Sequence, residues 1–112
     1  MSKNIFQDII EKKIPADIIH EDDLSIAFND ISPQAPTHIL IIPKKSIAKI
    51  SDINEEDKDL LGHLLLVAKK VTSDIGITDY RGVINNGSEA GQTVFHIHLH
   101  ILAGRTFGWP PG

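Results

Sequence analysis

Three histidines occupy alternate positions near the end of the chain, at His96, His98 and His100. Successive side chains of a β-strand point to opposite faces, so a strand here would place the three imidazoles on one face. Ile97, Leu99 and Ile101 would then point into the hydrophobic layer. The chain has 6 histidines, and a strand that needed only solubility would carry Thr, Lys or Glu instead. The spacing therefore indicates that imidazole chemistry is used.

Metal binding is one candidate chemistry, since neutral imidazole is a common ligand of zinc, copper and iron. A strand rises about 3.3 Å per residue, which separates the outer two Cα atoms by about 13 Å, whereas zinc–nitrogen bonds are about 2.0 to 2.1 Å. An adjacent pair could share an ion, with a further ligand such as His38 or Asp30. The spacing disfavours one metal held by all three histidines.

Nucleophilic catalysis at phosphorus is the second candidate. Neutral imidazole attacks a phosphoryl centre well, and the labile phospho-imidazole divides one difficult displacement into two easier ones. A second imidazole can donate a proton, and a third can fix the tautomer of the nucleophile. The glycine-rich segment Asn86–Gln92 lies directly upstream and could aim backbone N–H groups and the Gln92 and Thr93 side chains at an anion.

Length and composition limit the classes of protein to consider. With 112 residues, 41% of them hydrophobic, the chain suits one compact core, so we expect a single domain over residues 1–112. A net charge of -4 does not favour nucleic acid or membrane partners. The absence of cysteine, of a signal peptide and of any apolar run of transmembrane length predicts a cytoplasmic protein.

The first half of the chain predicts a short helix and three strands. Apolar residues at helical spacing predict a helix over Ile5–Ile14, ended by Pro15. A hairpin is expected from Asp17–Glu21 and Leu24–Asn29, followed by a proline-containing loop. The segment Thr37–Pro43 contains four consecutive aliphatic residues, which predict a central strand covered on both faces.

The second half predicts a long helix over Glu55–Ile75, with Asn54 as its cap and Gly76 just beyond its end. Strands are expected at 80–85 and at Thr93–Leu102, giving an α+β domain with a largely antiparallel sheet and both helices on one face. The remaining histidines, His20 and His63, are expected to be solvated. The buried face of the long helix is read from spacings of three and four as Leu60, Leu61, Leu64, Leu65, Ala68, Val71 and Ile75.

The segment His96–Leu102, HIHLHIL, matches the signature of the histidine triad (HIT) family, in which three histidines alternate with hydrophobic residues. Further segments make the whole chain similar to the Hint branch, the histidine triad nucleotide-binding proteins: IF, EDD, DISPQAPTH, IPKK, LLGHL, AGR and the terminal WPPG. This resemblance implies a HIT-like fold with a five-stranded sheet, joined to ten strands in a homodimer. It also implies hydrolysis of purine nucleoside phosphoramidates to AMP or GMP and an amine, without a metal or other cofactor.

The same resemblance assigns roles to individual residues. His98 would be the nucleophile that is transiently nucleotidylated, and His100 would contact the phosphate and assist proton transfer. His96 and His38 would be the supporting pair that orients His98. Trp109 would shape the active site of the partner subunit. The nucleotide would contact, besides His98 and His100, residues Asp30, Ile31, Asn85, Gly91, Gln92, Thr93, Val94, Ile5, Phe6, Ile9, Phe28 and Asn29.

Two other functions remain open from the sequence. One is hydrolysis of dinucleoside polyphosphates, as in another branch of the HIT superfamily. The other is a nucleotide-binding regulatory protein in which catalysis is vestigial, since a site can be intact while the cell uses the surface around it.

Overall fold

Five antiparallel strands form one sheet in the computed structural model of the chain, which describes residues 4–112. The strand order is β1-β2-β3-β5-β4, so β3 is central and β1 and β4 are the edges. The strands are β1 (Ile18–Glu21), β2 (Ser25–Asn29), β3 (Thr37–Pro43), β4 (Arg81–Val83) and β5 (Leu99–Ala103). Helices α1 (Ile5–Ile10) and α2 (Lys58–Asp74) complete the α+β fold, with short 3-10 turns at Ile50–Asp52, Glu55–Asp57 and Ser88–Ala90.

Strand β3 is buried on both faces, as its run of aliphatic residues predicts. Ile39 and Ile41 pack into the cluster that includes α2, whereas Leu40 and Ile42 pack into a second cluster that includes α1. The two helices therefore cover opposite faces of the sheet, and the expectation that both lie on one face is wrong. A strand with two buried faces requires a cover on each, which is why one short helix is placed alone against the second face.

Helix α1 ends earlier than predicted. The predicted helix continued to Ile14, but α1 stops at Ile10 with Glu11 as its C-cap, and Lys12 adopts a positive φ of 61°. A lysine in the left-handed region ends the helical hydrogen-bond ladder. The chain then turns, and Ile14 still packs against the α1 side of the sheet from outside the helix.

Helix α2 is preceded by a capping turn. Asn54 donates its backbone N–H to the Asp57 carboxylate at 2.9 Å in a capping box, as its position suggested, and Gly76 follows the helix with a φ of +78°. The predicted buried face is partly wrong: Leu65 is 62% exposed and Ile75 is 54% exposed. The buried stripe instead consists of Leu64, Val67, Ala68, Val71 and Thr72.

The last strand begins six residues later than predicted, at Leu99 rather than Thr93. Val94–His96 form a bend, and the Ile97 N–H donates to the Ile47 carbonyl at 2.8 Å instead of joining the sheet ladder. Ile97, Leu99 and Ile101 do enter the core as predicted. Of the three histidines, His100 alone belongs to β5, so the predicted strand is too long. The three imidazoles nevertheless lie on the α1 side of the sheet, where Phe6 packs against the His96 and His98 rings and His98 packs against His100.

His20 and His63 are not simply solvated. Both Nε2 atoms approach the same oxygen of Asp22, Oδ2, at 2.7 Å and 2.8 Å. The other oxygen of Asp22 accepts the backbone N–H groups of Leu24 and Ser25 at 2.8 Å each. Because His20 belongs to β1 and His63 to α2, these hydrogen bonds connect the β1–β2 hairpin to α2.

No helix within residues 4–112 has both the length and the apolar character needed to cross a membrane.

Candidate active site

A largely apolar cavity of about 450 Å³ opens on the face of the sheet that α1 covers. It lies between α1, the end of β2 and the segment that leads into β5. Two imidazoles, His98 and His100, lie in its wall beside the carboxylate of Asp30. The remaining lining residues are Ile5, Phe6, Ile9, Ile14, Pro15, Ala16, Phe28, Asn29, Ile31, Leu40, Thr93 and Val94.

His98 is held by the bend that precedes β5. Its Nδ1 lies 2.7 Å from the carbonyl oxygen of His96, which can only accept a hydrogen bond. The neutral ring therefore carries its proton on Nδ1 and keeps the lone pair on Nε2. The ring packs edge-on against Phe6 with centroids 4.9 Å apart, and only 6% of the residue is exposed. This is the arrangement that an imidazole nucleophile requires.

His100 and His38 come together through the register of the sheet. His100 lies opposite Leu40 in the β3–β5 pair, and His38 is two residues from Leu40 on the same face. His38 Nε2 and His100 Nδ1 are 2.9 Å apart, within hydrogen-bond distance. The rings of His100 and His98 lie 4.9 Å apart, so His100 links His38 to His98.

His96 lies outside the cavity wall and is fully buried. Its Nε2 approaches the Pro43 carbonyl oxygen at 2.8 Å, so its proton is on Nε2, while its buried Nδ1 has no hydrogen-bond partner in the described part of the chain. The structure therefore separates the predicted supporting pair: His38 contacts His100, whereas His96 anchors the bend and supports His98 with its backbone carbonyl.

Asp30 makes a contact through each of its two carboxylate oxygens. Its Oδ1 accepts the backbone N–H of Ser32 at 2.8 Å in an Asx turn. Its Oδ2 lies 3.5 Å from His38 Nε2 and belongs to a side chain that is 19% exposed. The carboxylate thus lies at the boundary between the histidines and the apolar part of the cavity.

The histidines of this site are neutral near pH 7, because burial lowers the pKa of His38, His96 and His98 below the ordinary value. Burial and the neighbouring His98 and His38 lower the pKa of His100 to about 4. The charge of Asp30 opposes these shifts at His38, His98 and His100 without cancelling them.

Three predicted nucleotide contacts lie outside the cavity wall: Asn85, Gly91 and Gln92. Gln92 is buried, with its Oε1 accepting the Gly87 N–H and its Nε2 donating to the Ala48 and Val94 carbonyls. The backbone N–H groups of Gly91 and Gln92 donate to Ser88 and Gly87. The expectation that this loop aims these donors at an anion is therefore wrong for Gly91 and Gln92, which hold the loop itself in place.

Trp109 is 84% exposed and does not line the cavity of its own chain. The tail before it contacts the sheet, since both the Arg81 and Arg105 guanidinium groups lie over the Phe107 ring, with carbon–centroid distances of 5.2 Å and 4.2 Å. Arg81 also donates to the Gly108 carbonyl at 2.8 Å.

Sequence reasoning missed Ile14, Pro15, Ala16 and Leu40 in the cavity wall. Leu40 could have been predicted, because it lies two residues after His38 in β3 and therefore on the same face of the sheet. The other three follow the early end of α1, which periodicity did not reveal.

One group within residues 4–112 has the composition of a metal site: Asp30, His38 and His100 bring ligand atoms within 4.8 Å of one another. The 2.9 Å separation of the His38 and His100 nitrogens is a hydrogen bond, so one of these two nitrogens carries a proton. A protonated nitrogen has no lone pair for a metal, and the geometry therefore favours a shared proton over a shared ion.

The fold that holds this site is also found in known proteins. Residues 11–107 match the sequence profile of the HIT domain family, and this chain belongs to that family. An uncharacterised HIT-like protein from Synechocystis is 62% identical over 109 residues, covering 96% of each chain.

Solved structures agree with this membership. A HIT family hydrolase from Legionella pneumophila is 50% identical with a TM-score of 0.95, over 98% of this chain and 100% of the other. A histidine triad nucleotide-binding protein from Candida albicans is 37% identical with a TM-score of 0.79, over 95% and 82% of the two chains. These neighbours support a hydrolase with the HIT fold.

Proposed function

We propose that this protein hydrolyses purine nucleoside phosphoramidates to a nucleoside monophosphate and an amine, through a covalent intermediate on His98, as a member of the Hint branch. The observation that carries this proposal is the hydrogen bond from His98 Nδ1 to the His96 carbonyl oxygen at 2.7 Å. It leaves a neutral ring with an unprotonated Nε2 in the wall of the cavity.

In the first step, His98 Nε2 attacks the phosphorus atom and the P–N bond breaks. The amine leaves with a proton supplied by a donor in the site, and His100, also in the wall, is the group placed to supply it. In the second step, water attacks the nucleotidyl-His98: its hydroxyl bonds to phosphorus, its proton returns to His100, and AMP or GMP is released, so both rings regain the neutral forms in which they began.

The apolar part of the cavity suits a purine base. Phe6 and Phe28 meet edge to face with centroids 5.8 Å apart, and Phe6 also packs on the His98 ring. Ile5, 47% exposed, and Ile31, 92% exposed, flank the opening, so a bound base would shield their side chains from water. Asp30 and Asn29 at the end of β2 supply polar groups for the ribose hydroxyls.

Charge favours phosphoramidates over polyphosphates as substrates. Among the described residues that line the cavity, Asp30 alone has a charged side chain, and it is an acid. The burial-lowered pKa values keep His98 and His100 neutral. Further phosphate charges beyond the attacked phosphorus would find no cation in this wall, whereas an amine leaving group adds no negative charge.

We further propose that the protein is a homodimer in which two β4 strands pair to join the sheets into ten strands. Strand β4 is an edge that, among residues 4–112, pairs with β5 alone, and an unpaired edge is a template for pairing. Leu65 and Leu66 on α2 are 62% and 66% exposed, which supports a buried apolar contact with a partner. Trp109 would then act on the partner's cavity.

The decisive experiment is a kinetic panel on wild type and His98→Asn, using adenosine and guanosine 5'-phosphoramidates with varied amines and diadenosine triphosphate as the competing substrate. We expect His98→Asn to lower kcat by more than about 10³-fold, because it removes the covalent route. AMP binding, measured by calorimetry, should persist. A wild-type burst of amine ahead of AMP would identify the intermediate.

The matched control is His63→Asn, the same substitution at a histidine outside the cavity, and it should retain wild-type turnover. Undiminished turnover by His98→Asn would eliminate His98 as the nucleophile. Faster hydrolysis of diadenosine triphosphate than of every phosphoramidate would favour the polyphosphate alternative. Tight AMP binding by a wild type that turns over no substrate would favour the regulatory one.

A further inference from the structure

We propose that the backbone N–H of Gln34 sets the tautomer of His38 and, through it, makes His100 the proton donor of the site. Gln34 is then a positioning residue, and the loop Asp30–Pro36 is the element that holds it. The catalytic part of this inference rests on the proposed function, whereas the tautomers themselves do not.

A hydrogen bond joins the Asp30–Pro36 loop to His38. The Gln34 N–H donates to His38 Nδ1 at 3.1 Å. A backbone amide nitrogen can only donate, so His38 Nδ1 must be the unprotonated nitrogen of a neutral ring. His38 is 6% exposed and burial keeps it neutral, which places its single ring proton on Nε2.

Another hydrogen bond joins the rings of His38 and His100. His38 Nε2 lies 2.9 Å from His100 Nδ1. Because His38 carries its proton on Nε2, it donates this hydrogen bond and His100 Nδ1 accepts it. Asp30 Oδ2, at 3.5 Å from the same Nε2, attracts that proton from a second side. His100 Nδ1 is then an acceptor, and the proton of the neutral His100 ring lies on Nε2.

The result is a pair of neighbouring rings with opposite tautomers. His98 carries its proton on Nδ1 because of the His96 carbonyl, and its Nε2 has a lone pair. His100 carries its proton on Nε2 because of His38 and Gln34. The first ring can attack phosphorus and the second can donate to the leaving nitrogen or to a phosphoryl oxygen.

The reverse tautomer of His38 is penalised by the same geometry. A proton on His38 Nδ1 would face the Gln34 N–H, leaving two donors in contact, and the donor on the His38 ring, which is 6% exposed, would be unsatisfied. The cost of an unsatisfied buried donor disfavours this form by roughly tenfold or more. Without the Gln34 N–H, neither tautomer of His38 would be favoured in this way, and as a result neither tautomer of His100 would be favoured.

The loop that presents the Gln34 N–H is braced on several sides. The Asp30 carboxylate accepts the Ser32 N–H at 2.8 Å, and the Gln34 side chain donates to the Ser32 carbonyl at 3.0 Å. Arg105 donates to the Gln34 carbonyl at 3.3 Å. Pro36 packs on Gly104, where an added Cβ would come within 2.7 Å of the proline ring. This bracing explains the segment DISPQAPTH as a structural unit that ends at His38.

The direct test is the tautomer of each ring, read from two-bond ¹H–¹⁵N correlations of the ¹⁵N-labelled full chain near pH 7.5 without any ligand. We expect Nε2–H for His38 and His100 and Nδ1–H for His98. A protonated Nδ1 on His38 in this spectrum would overturn the inference.

The second test removes only the donor. Gln34→Ala retains the backbone N–H, and its matched partner is the same Gln34→Ala chain with an ester oxygen in place of that N–H, made by semisynthesis. Gln34→Ala keeps the N–H and should keep the wild-type tautomers, and its own turnover is the reference for the ester. The ester should mix the tautomers of His38 and His100 and lower kcat by roughly 10- to 100-fold, as losses of orienting partners do, with little change in KM.

An ester at Ala90, whose N–H donates to the Gly87 carbonyl in a turn, controls for the loss of one backbone hydrogen bond. Tautomers and kcat unchanged in the Gln34 ester relative to Gln34→Ala would contradict the inference. If the tautomers change as expected while no phosphoramidate is turned over by any chain, the proposed function fails and the tautomer assignment stands.

Discussion

At the scale of single residues, the two imidazoles of the cavity differ because of their hydrogen-bond partners rather than their positions in the sequence. His98 bonds to a carbonyl oxygen and His100 bonds to another imidazole. Alternation along a strand would have made them equivalent. The bend at Val94–His96 breaks that equivalence by turning the His96 carbonyl towards the His98 ring.

The lowered pKa of His98 predicts how activity depends on pH. Protonation of His98 removes the lone pair that attacks phosphorus, so kcat/KM must fall as the pH drops through the pKa of the free enzyme. Burial holds that pKa below the ordinary value of about 6.5. We therefore expect a flat kcat/KM from pH 8 to below 6.5, measured on adenosine 5'-phosphoramidate after subtraction of spontaneous hydrolysis. An acid limb at or above pH 6.5 would argue against a buried neutral nucleophile.

At the scale of elements, the cluster of His20, Asp22 and His63 joins the hairpin to α2. Burial raises the pKa of Asp22, but hydrogen bonds from His20, Leu24, His63 and Ser25 outweigh it and hold the pKa well below its usual range. We expect Asp22→Asn to lower the free energy of unfolding by about 1 to 3 kcal/mol, because the amide cannot accept the same set of donors. Urea denaturation near pH 7.5 measures this change.

Asp23→Asn, at the adjacent position of the same turn, is the matched control and should change stability by less than about 0.5 kcal/mol. Equal effects of the two substitutions would show that the cluster does not stabilise the fold.

Gly104, directly after β5, is the point where the end of the last strand meets the Asp30–Pro36 loop. Its φ is +95°, and an added Cβ would lie 2.7 Å from the Pro36 Cβ. We expect Gly104→Ala to destabilise the protein by about 1 to 3 kcal/mol, since both backbone strain and the contact oppose it. Thermal unfolding provides the measurement.

Gly62, inside α2, offers the contrasting substitution, because apart from its own turn of helix no heavy atom of residues 4–112 lies within 4 Å of its added Cβ. Gly62→Ala should stabilise the helix by about 0.5 to 1 kcal/mol. If Gly104→Ala also stabilised the protein, the close approach of the loop to β5 would be disproved.

At the scale of the whole molecule, the proposed dimer pairs the β4 edges of two sheets, and the exposed Leu65 and Leu66 of α2 would provide its apolar surface. We expect wild type to sediment as a dimer, and the double substitution Leu65→Lys, Leu66→Lys to shift it towards monomer, because charge is costly in a buried contact. Sedimentation equilibrium distinguishes these states.

Ile19→Lys is the control, since Ile19 is 40% exposed on β1 at the opposite edge. It should leave the assembly unchanged. A monomeric wild type would contradict the dimer, and a double variant that remains dimeric would place the interface away from this part of α2.

Much of the fold follows from local patterns. The four aliphatic residues of β3 predicted a strand with two buried faces, and the capping signals around α2 located both of its ends within a few residues. The errors arose where the backbone departs from the regular structure that periodicity assumes. Lys12 adopts a positive φ that ends α1, and the Ile97 N–H bonds to Ile47 instead of a neighbouring strand.

The sequence by itself determined which residue types are available for chemistry: several histidines, one carboxylate before a proline-containing loop, and apolar residues to enclose them. Only the tertiary structure decided what each imidazole can do. Periodicity specifies the side of an element on which a side chain lies, whereas the position of a ring proton depends on the atoms facing each nitrogen. Those atoms belong to His96, Gln34 and His38, which the bend, the loop and the β3–β5 register bring to the rings.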